Sequence, residues 1–227
     1  MQRQFQAVLF DLDGTLVDSL ADLANATNHA LATLGCPTHP REAYRYFVGD
    51  GARTLCQRAL PADKQDLLEP ALALMRTHYD AHRYDETRPY PGVPELVAHL
   101  AEQDYRLAVL SNKPDRFTQE LVAHYFPAAP FAVVRGQLPG IPLKPDLAAA
   151  LQIARKLAIP PARWLYLGDT NTDMRTARAA GMHAVGVLWG FRDRAELEAS
   201  GAQRLLAQPG DLLAWLENEQ GRTRVRP

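Results

Sequence analysis

The sequence predicts an α/β protein: a Rossmann-like parallel-sheet core with an inserted α-helical cap domain. Three observations point to it. A short apolar run, Val8-Leu9-Phe10, leads straight into Asp11-Leu12-Asp13-Gly14. Strand-like runs at Arg106–Leu110, Phe131–Val134, Trp164–Leu167 and His183–Leu188 alternate with helical patterns from residue 91 onward. Between the first strand and that alternation lies an all-helical stretch, Ser19 to about Arg88. Apolar runs this short read as strands buried on both faces, as in parallel sheets, and strands alternating with helices make βαβ units. The expected division is a core of residues 1–16 and 89–227 and a cap of residues 17–88.

The first strand prepares the chemistry. Gly14 lets the chain turn as the strand ends. Asp11 and Asp13 therefore lie at a strand's carboxyl end, where open α/β sheets place ligands. Residues two apart in a strand point to the same side, so the two carboxylates share one pocket if extended geometry persists to Asp13. Like charges in one site repel and raise one pKa. A divalent cation can neutralise the pair, or one carboxyl can stay protonated and act as an acid. A polar turn that merely ends the strand is the plainer alternative.

In the helical stretch, Leu20, Leu23, Thr27, Leu31 and Leu34 recur at helical spacing, with Ser19 at the N-cap and Gly35 as the stop. A second helix runs from Gly51 to Leu60 and ends at Pro61. A third pattern covers Asp63 to His82; a break is expected at Pro70, with the proline opening the longer piece. These helices either form a cap or cover the sheet directly.

The α/β alternation follows. Pro91–Gln103 is a helix with Leu96 and Leu100 on one face. The strand Arg106–Leu110 ends in Ser111-Asn112-Lys113-Pro114. A hydroxyl and an amide placed there can bond phosphate oxygens, although Ser-Asn before proline is also ordinary turn chemistry. After the helix Asp115–Tyr125 and the strand Phe131–Val134, a loop of residues 136–142 delivers Lys144-Pro145-Asp146. Pro145 suits the first turn of a helix running to Leu157. Lys144 then lies at a helix start, where the dipole disfavours a cation, unless an anion faces it.

The strand Trp164–Leu167 ends in Gly168-Asp169-Thr170-Asn171-Thr172-Asp173. One helical turn can bring Asp169 and Asp173 together. They are an N-capping cluster or, given a second strand-end carboxylate site in the sheet, part of a cation site, since Mg²⁺ prefers oxygen ligands. Gly181 ends the next helix. His183–Leu188 is a strand whose histidine reads as structural, Gln203–Leu206 a short edge strand, and Asp211–Asn218 the last helix. The polar tail from Glu219 to Pro227 is expected to fray.

Composition excludes several classes. With 47% hydrophobic and 22% charged residues the chain has an ordinary globular balance. A net charge of -1 gives no basic footprint for nucleic acid. No apolar segment is long enough to span a bilayer, and the opening Met1–Gln6 lacks the apolar run of a signal peptide. Cys36 and Cys56 form no metal pattern and no disulfide framework. A cytoplasmic enzyme with free thiols is expected.

The run Asp11–Ser19 resembles the first motif of the haloacid dehalogenase-like superfamily, mostly phosphatases and phosphomutases. Ser111-Asn112, Lys144 and Asp169–Asp173 resemble its second, third and fourth motifs, in family order. The resemblance implies Asp11 as nucleophile, forming an aspartyl-phosphate, and Asp13 as general acid/base. It implies Mg²⁺ on the Asp11 carboxylate, the Asp13 main-chain carbonyl and Asp169, with Asp173 in support. Ser111, Asn112 and Lys144 become phosphate ligands, and the helical stretch becomes a cap. An anion attacking an anion must overcome repulsion, which Mg²⁺, Lys144 and backbone amides would neutralise. Asp11 would attack phosphorus in line, and Asp13 would protonate the leaving alcohol and then accept a proton from water.

A dehalogenase would need neither metal nor Asp13. A phosphomutase shares all four motifs and differs mainly in the cap. A non-catalytic binding protein would lack at least one of these groups. Val48–Arg53, Ser111–Pro114 and Gly181–Gly190 resemble phosphoglycolate phosphatases more narrowly. The expected activity is a Mg²⁺-dependent phosphomonoesterase acting on 2-phosphoglycolate. The alternatives are a phosphatase or pyrophosphatase for another small phosphorylated metabolite, or a β-phosphoglucomutase-like phosphomutase. Gly51 and Arg53 are the expected readers of the leaving group. Gly51 lets backbone approach a ligand, the helix it opens offers N–H groups to an anion, and the Arg53 fork can hold a carboxylate.

Overall fold

The computed structural model of the chain describes residues 3–224. In chain order its strands are β1 (Ala7–Phe10), β2 (Val17–Asp18), β3 (Arg88–Pro89), β4 (Arg106–Pro114), β5 (Phe131–Gln137), β6 (Trp164–Gly168), β7 (His183–Val187) and β8 (Arg204–Leu206). Its α-helices are α1 (Leu20–Thr33), α2 (Tyr44–Phe47), α3 (Ala52–Ala59), α4 (Leu68–His82), α5 (Val93–Glu102), α6 (Asp115–Tyr125), α7 (Ala148–Lys156), α8 (Asn171–Ala179), α9 (Arg194–Ala199) and α10 (Gly210–Arg224).

Six strands form one parallel sheet in the order β5-β4-β1-β6-β7-β8. Strand β1 is central: Ala7–Phe10 pair with Arg106–Val109 on one side and Trp164–Leu167 on the other. The chain builds outward through β4 and β5, then returns past β1 to build β6, β7 and β8. Such a reversal leaves a crevice at the carboxyl ends of the strands flanking it, and here those strands are β4, β1 and β6.

Strand periodicity of two divides the core. Val8 and Phe10 point to the side covered by α5, α6 and α10, among Leu96, Leu100, Leu121 and Leu212. Ala7 and Leu9 point to the side covered by α7, α8 and α9, among Ile153, Met174, Ala177 and Leu197. Burying each large side chain contributes about 1.5–3 kcal/mol, and both faces of β1 are closed to solvent, as its unbroken apolar run requires. His183 is held between the rings of Phe5 and Trp215, at centroid distances of 5.3 and 5.4 Å.

Helices α1–α4 pack on one another through Leu23, Ala26, Tyr44, Leu55, Leu72 and Met75, and meet the sheet domain at Phe117 and Phe191. The expected break in the third helical pattern falls before Pro70. A 3₁₀ segment, Ala62–Leu67, precedes α4, and Pro70 sits in the first turn of α4, where N–H groups have no intrahelical acceptor. The chain leaves and re-enters the sheet domain through the antiparallel ribbon of β2 and β3. Two-residue strands have no periodicity to read, so the sequence did not announce them. Asp22, buried at the start of α1, braces this crossing by accepting from the Thr87 N–H at 2.8 Å and its hydroxyl at 2.7 Å. The last helix continues to Arg224, beyond the expected Asn218, and the end of the expected frayed tail, residues 225–227, lies outside the described residues. Cys36 and Cys56 are free and buried. Among the described residues no helix is long and apolar enough to cross a membrane.

Candidate active site

Asp11 follows β1, Ser111 and Asn112 lie in β4, and Asp169 follows β6, so three adjacent strands deliver their polar ends to one crevice. One carboxylate oxygen each of Asp11, Asp169 and Asp173 lies within 4.8 Å of the others, all buried. Glycines make that packing sterically possible. Gly14 has φ +86°, and a Cβ there would lie 2.2 Å from an Asp169 oxygen; a Cβ on Gly190 would lie 2.2 Å from the Asp169 Cβ.

Each carboxylate has distinct partners. Asp11 Oδ1 accepts from the Leu12 N–H at 2.7 Å and pairs with Lys144 Nζ at 2.9 Å. Asp169 accepts from the Thr15 hydroxyl at 3.1 Å and the Phe191 N–H at 2.9 Å. Asp173 divides its two oxygens. Oδ2 closes a capping box with Thr170 at the start of α8, and Oδ1 accepts from Lys144 Nζ at 2.7 Å. Asp173 therefore serves as part of the N-cap with one oxygen and faces the buried lysine with the other.

The electrostatics follow from this crowding. Burial, then Asp173, pushes the Asp11 carboxyl well above its usual value, against the pull of Lys144. Burial, then Asp173, pushes Asp169 up to about 7. Burial alone would depress Lys144, but Asp11 and Asp173 outweigh it and hold the ammonium charged. With all three ionised, the carboxylates would leave two negative charges against one ammonium, and the raised Asp11 and Asp169 reflect that uncompensated crowding. A divalent cation fits that balance and that all-oxygen donor set.

Asp13 is handled separately. Its carboxylate lines the same cavity as Asp11 but accepts from the Ser19 hydroxyl at 2.5 Å and from Lys113 Nζ at 2.9 and 3.0 Å. Ser19 therefore makes no side-chain cap to α1, and the two aspartates avoid repulsion by having a lysine each. The Asp13 carboxylate is not part of the three-carboxylate cluster.

The expected settings of Lys144 and Arg53 need correction, and Asn112 has further partners. Lys144 is not at a helix start. Asp146 folds back on Leu143 and accepts from the Ala148 N–H, so α7 begins only at Ala148. Asn112 uses both its N–H groups on main-chain carbonyls, Gly49 and Lys144 at 3.0 Å each, and its oxygen on the Lys144 N–H at 2.9 Å. It ties the lysine loop to the helical layer, and it lines the cavity beside Ser111. Arg53 points away from the cavity: Gly51, Ala52 and Leu55 line it, while the Arg53 guanidinium pairs with Glu69 at 2.5 Å, the two side chains 59% and 67% exposed. In a helix, residues 51, 52 and 55 share a face that residue 53 does not. Gly51 lies where expected, with φ +87°, 3.4 Å from the Asn112 carbonyl as measured from a built Cβ. Ser111 also lines the cavity, its hydroxyl accepting from the Lys113 N–H at 3.3 Å.

Sequence reasoning missed Thr15, which reaches Asp169 across 154 positions of chain, and Lys113, whose only signal was its place beside Ser111-Asn112. It also missed the arginines that seat the helical layer. Arg45 donates to the Gly190 and Phe191 carbonyls at 2.6 and 3.1 Å, and Arg192 to the Val48 carbonyl at 3.0 Å.

Residues 8–187 match the model of the haloacid dehalogenase-like hydrolases, and the chain belongs to that family. A phosphoglycolate phosphatase of Pseudomonas putida KT2440 is 38% identical over 198 residues, 85% of this chain and 72% of the relative. One of Haemophilus influenzae is 35% identical over 201 residues, 84% and 89% of the two chains. A solved protein from Lactobacillus delbrueckii subsp. bulgaricus superposes with a TM-score of 0.88 at 28% identity, covering 94% of this chain and 98% of its own.

Proposed function

We propose that the protein is a Mg²⁺-dependent phosphomonoesterase working through an aspartyl-phosphate on Asp11, with 2-phosphoglycolate as substrate. The relatives named phosphoglycolate phosphatase support the activity. The observation that carries the mechanism is Asp11 at the cavity floor, held between the Leu12 N–H and Lys144.

Asp11 has one oxygen fixed and a lysine to neutralise the charge that builds at its attack on phosphorus. Asp13, held by Ser19 and Lys113, is oriented to give a proton to the leaving alcohol and take one from the water that releases Asp11. Ser111 offers a hydroxyl to the transferred group. Asp11 and Asp169, with the Asp13 main-chain carbonyl, would hold Mg²⁺, and Asp173 would position Lys144 beside them. The cation supplies charge neutralisation for the phosphoryl oxygens. Residues 17–88 act as a cap over the crevice, and Leu23, Val48, Leu55 and Met75 of that stretch line the same cavity as Asp11.

Steady-state kcat/KM over a panel of small phosphate esters and a hexose phosphate, with Mg²⁺ and with chelator, tests the proposal. Hydrolysis of 2-phosphoglycolate should rank first and stop in chelator. Full activity in chelator overturns the cation site, and a preference for the hexose phosphate overturns the choice of 2-phosphoglycolate.

A further inference from the structure

The floor of the cavity is polar, but its upper wall is apolar. Leu23, Val48, Ala52, Leu55, Met75 and Phe117 contribute no hydrogen-bonding side chain. Against that background two groups of α4 stand out, Arg76 and Tyr79, which are three apart and share a helix face.

Tyr79 is 2% exposed; the polar group beside its hydroxyl, Lys113, can only donate, so the O–H has no acceptor among the described residues. A buried O–H without an acceptor is costly, so it calls for an acceptor that the protein does not itself supply. Burial pushes this hydroxyl up to about 12 against the pull of Lys113, so at neutral pH it is protonated and a donor. Its ring also closes over Lys113, whose Nζ lies 4.5 Å from the centroid. Arg76 is exposed toward the mouth of the cavity. The acidic residue closest to it in charge influence, Glu69, is already bound by Arg53. Among the ion pairs of the described residues none involves Arg76. The remaining cations of the cavity, Lys113 and, beneath it, Lys144, are each bound to an aspartate.

We infer that Arg76 and Tyr79 form a carboxylate-reading subsite for the leaving group, so that the enzyme selects phosphomonoesters whose short alcohol portion carries an anion. The inference rests on the phosphomonoesterase reading above and adds the residues that choose among its substrates. A carboxylate accepts from an arginine fork and from a hydroxyl at once, and both side chains line the same cavity as Asp11 and Ser111.

The test compares 2-phosphoglycolate with ethyl phosphate, which has the same backbone length and no carboxylate. In the wild type the ratio of kcat/KM should favour 2-phosphoglycolate. In Arg76→Gln and Tyr79→Phe that ratio should fall, roughly tenfold for the arginine and less for the neutral hydroxyl, through KM more than kcat. Arg76→Lys should recover part of it, because a point charge replaces the fork. Glycolate as an inhibitor of ethyl phosphate hydrolysis gives a second readout, and its inhibition should weaken in the same variants. An unchanged ratio and unchanged glycolate inhibition in Arg76→Gln overturn the subsite while leaving the phosphatase standing. A wild type inactive on both esters with Mg²⁺ present overturns the phosphatase reading and the subsite with it.

Discussion

Lys113 Nζ lies 2.9 Å from one carboxylate oxygen of Asp13 and 3.0 Å from the other, with the Tyr79 ring closing the far side. Burial opposes the ammonium, but Asp13 and Tyr79 outweigh it and raise the lysine above its usual value. A buried pair broken on one side costs about 3–5 kcal/mol, because the surviving charge is left unpaired. Lys113→Met should therefore lower the thermal midpoint. It should also lower kcat, because Asp13 loses the partner that orients it. A lower midpoint with an unchanged kcat would assign Lys113 to packing alone.

Asp11→Asn keeps the size of the side chain and removes the proposed nucleophile, since an amide cannot form the acyl-phosphate. Turnover should fall below about a thousandth of wild type, read by phosphate release in a preparation free of wild-type enzyme. Near-normal turnover would exclude Asp11 as the attacking group.

Arg53→Ala should change kcat/KM for 2-phosphoglycolate by less than about twofold, because an exposed ion pair on the outer face contributes little. The same kinetic comparison that exposes Arg76 checks this. A tenfold loss in Arg53→Ala would mean that α3 turns this side chain inward when substrate is bound.

His183 gives the fold a pH dependence remote from the crevice. Burial, aided by Arg178 and Arg204, lowers its pKa below 6.5. A group depressed in the folded state contributes its stability above the unfolded pKa and loses it as pH falls. Thermal midpoints should hold near neutrality and decline below about pH 6.5, and His183→Phe should show a smaller difference between pH 7.5 and 5.5. An equal decline in both proteins would place the acid sensitivity elsewhere.

Asp11, Asp13, Ser111 and Asp169 were legible because strand-end position is local: a short apolar run followed by a polar residue needs no knowledge of the rest of the chain. Lys144 was legible by motif, but its local reason was not, because the turn made by Asp146 delays the helix. Asn112 looked like a phosphate ligand because an amide at a strand end can serve either purpose. Its partners, Gly49 and Lys144, are distant in sequence, so its role as a tie between backbone segments was not legible. Arg53 and Arg76 were indistinguishable as arginines in helical patterns. Which one faces the cavity depends on how α3 and α4 rotate against α1, set by Leu55, Leu72 and Met75 in three dimensions.

The ties that seat the helical layer on the crevice run largely to main-chain carbonyls: Gly49 and Val48 on one side, Gly190 and Phe191 on the other. A carbonyl is present whatever the side chain, so the seating is indifferent to most substitutions in the layer. Arg76, which lines the cavity but is exposed and outside the core of the helical layer, can then change without loosening that layer. Descendants of one sheet and its carboxylates can thus acquire new leaving-group tastes at such a position without first having to rebuild the seating of the helices.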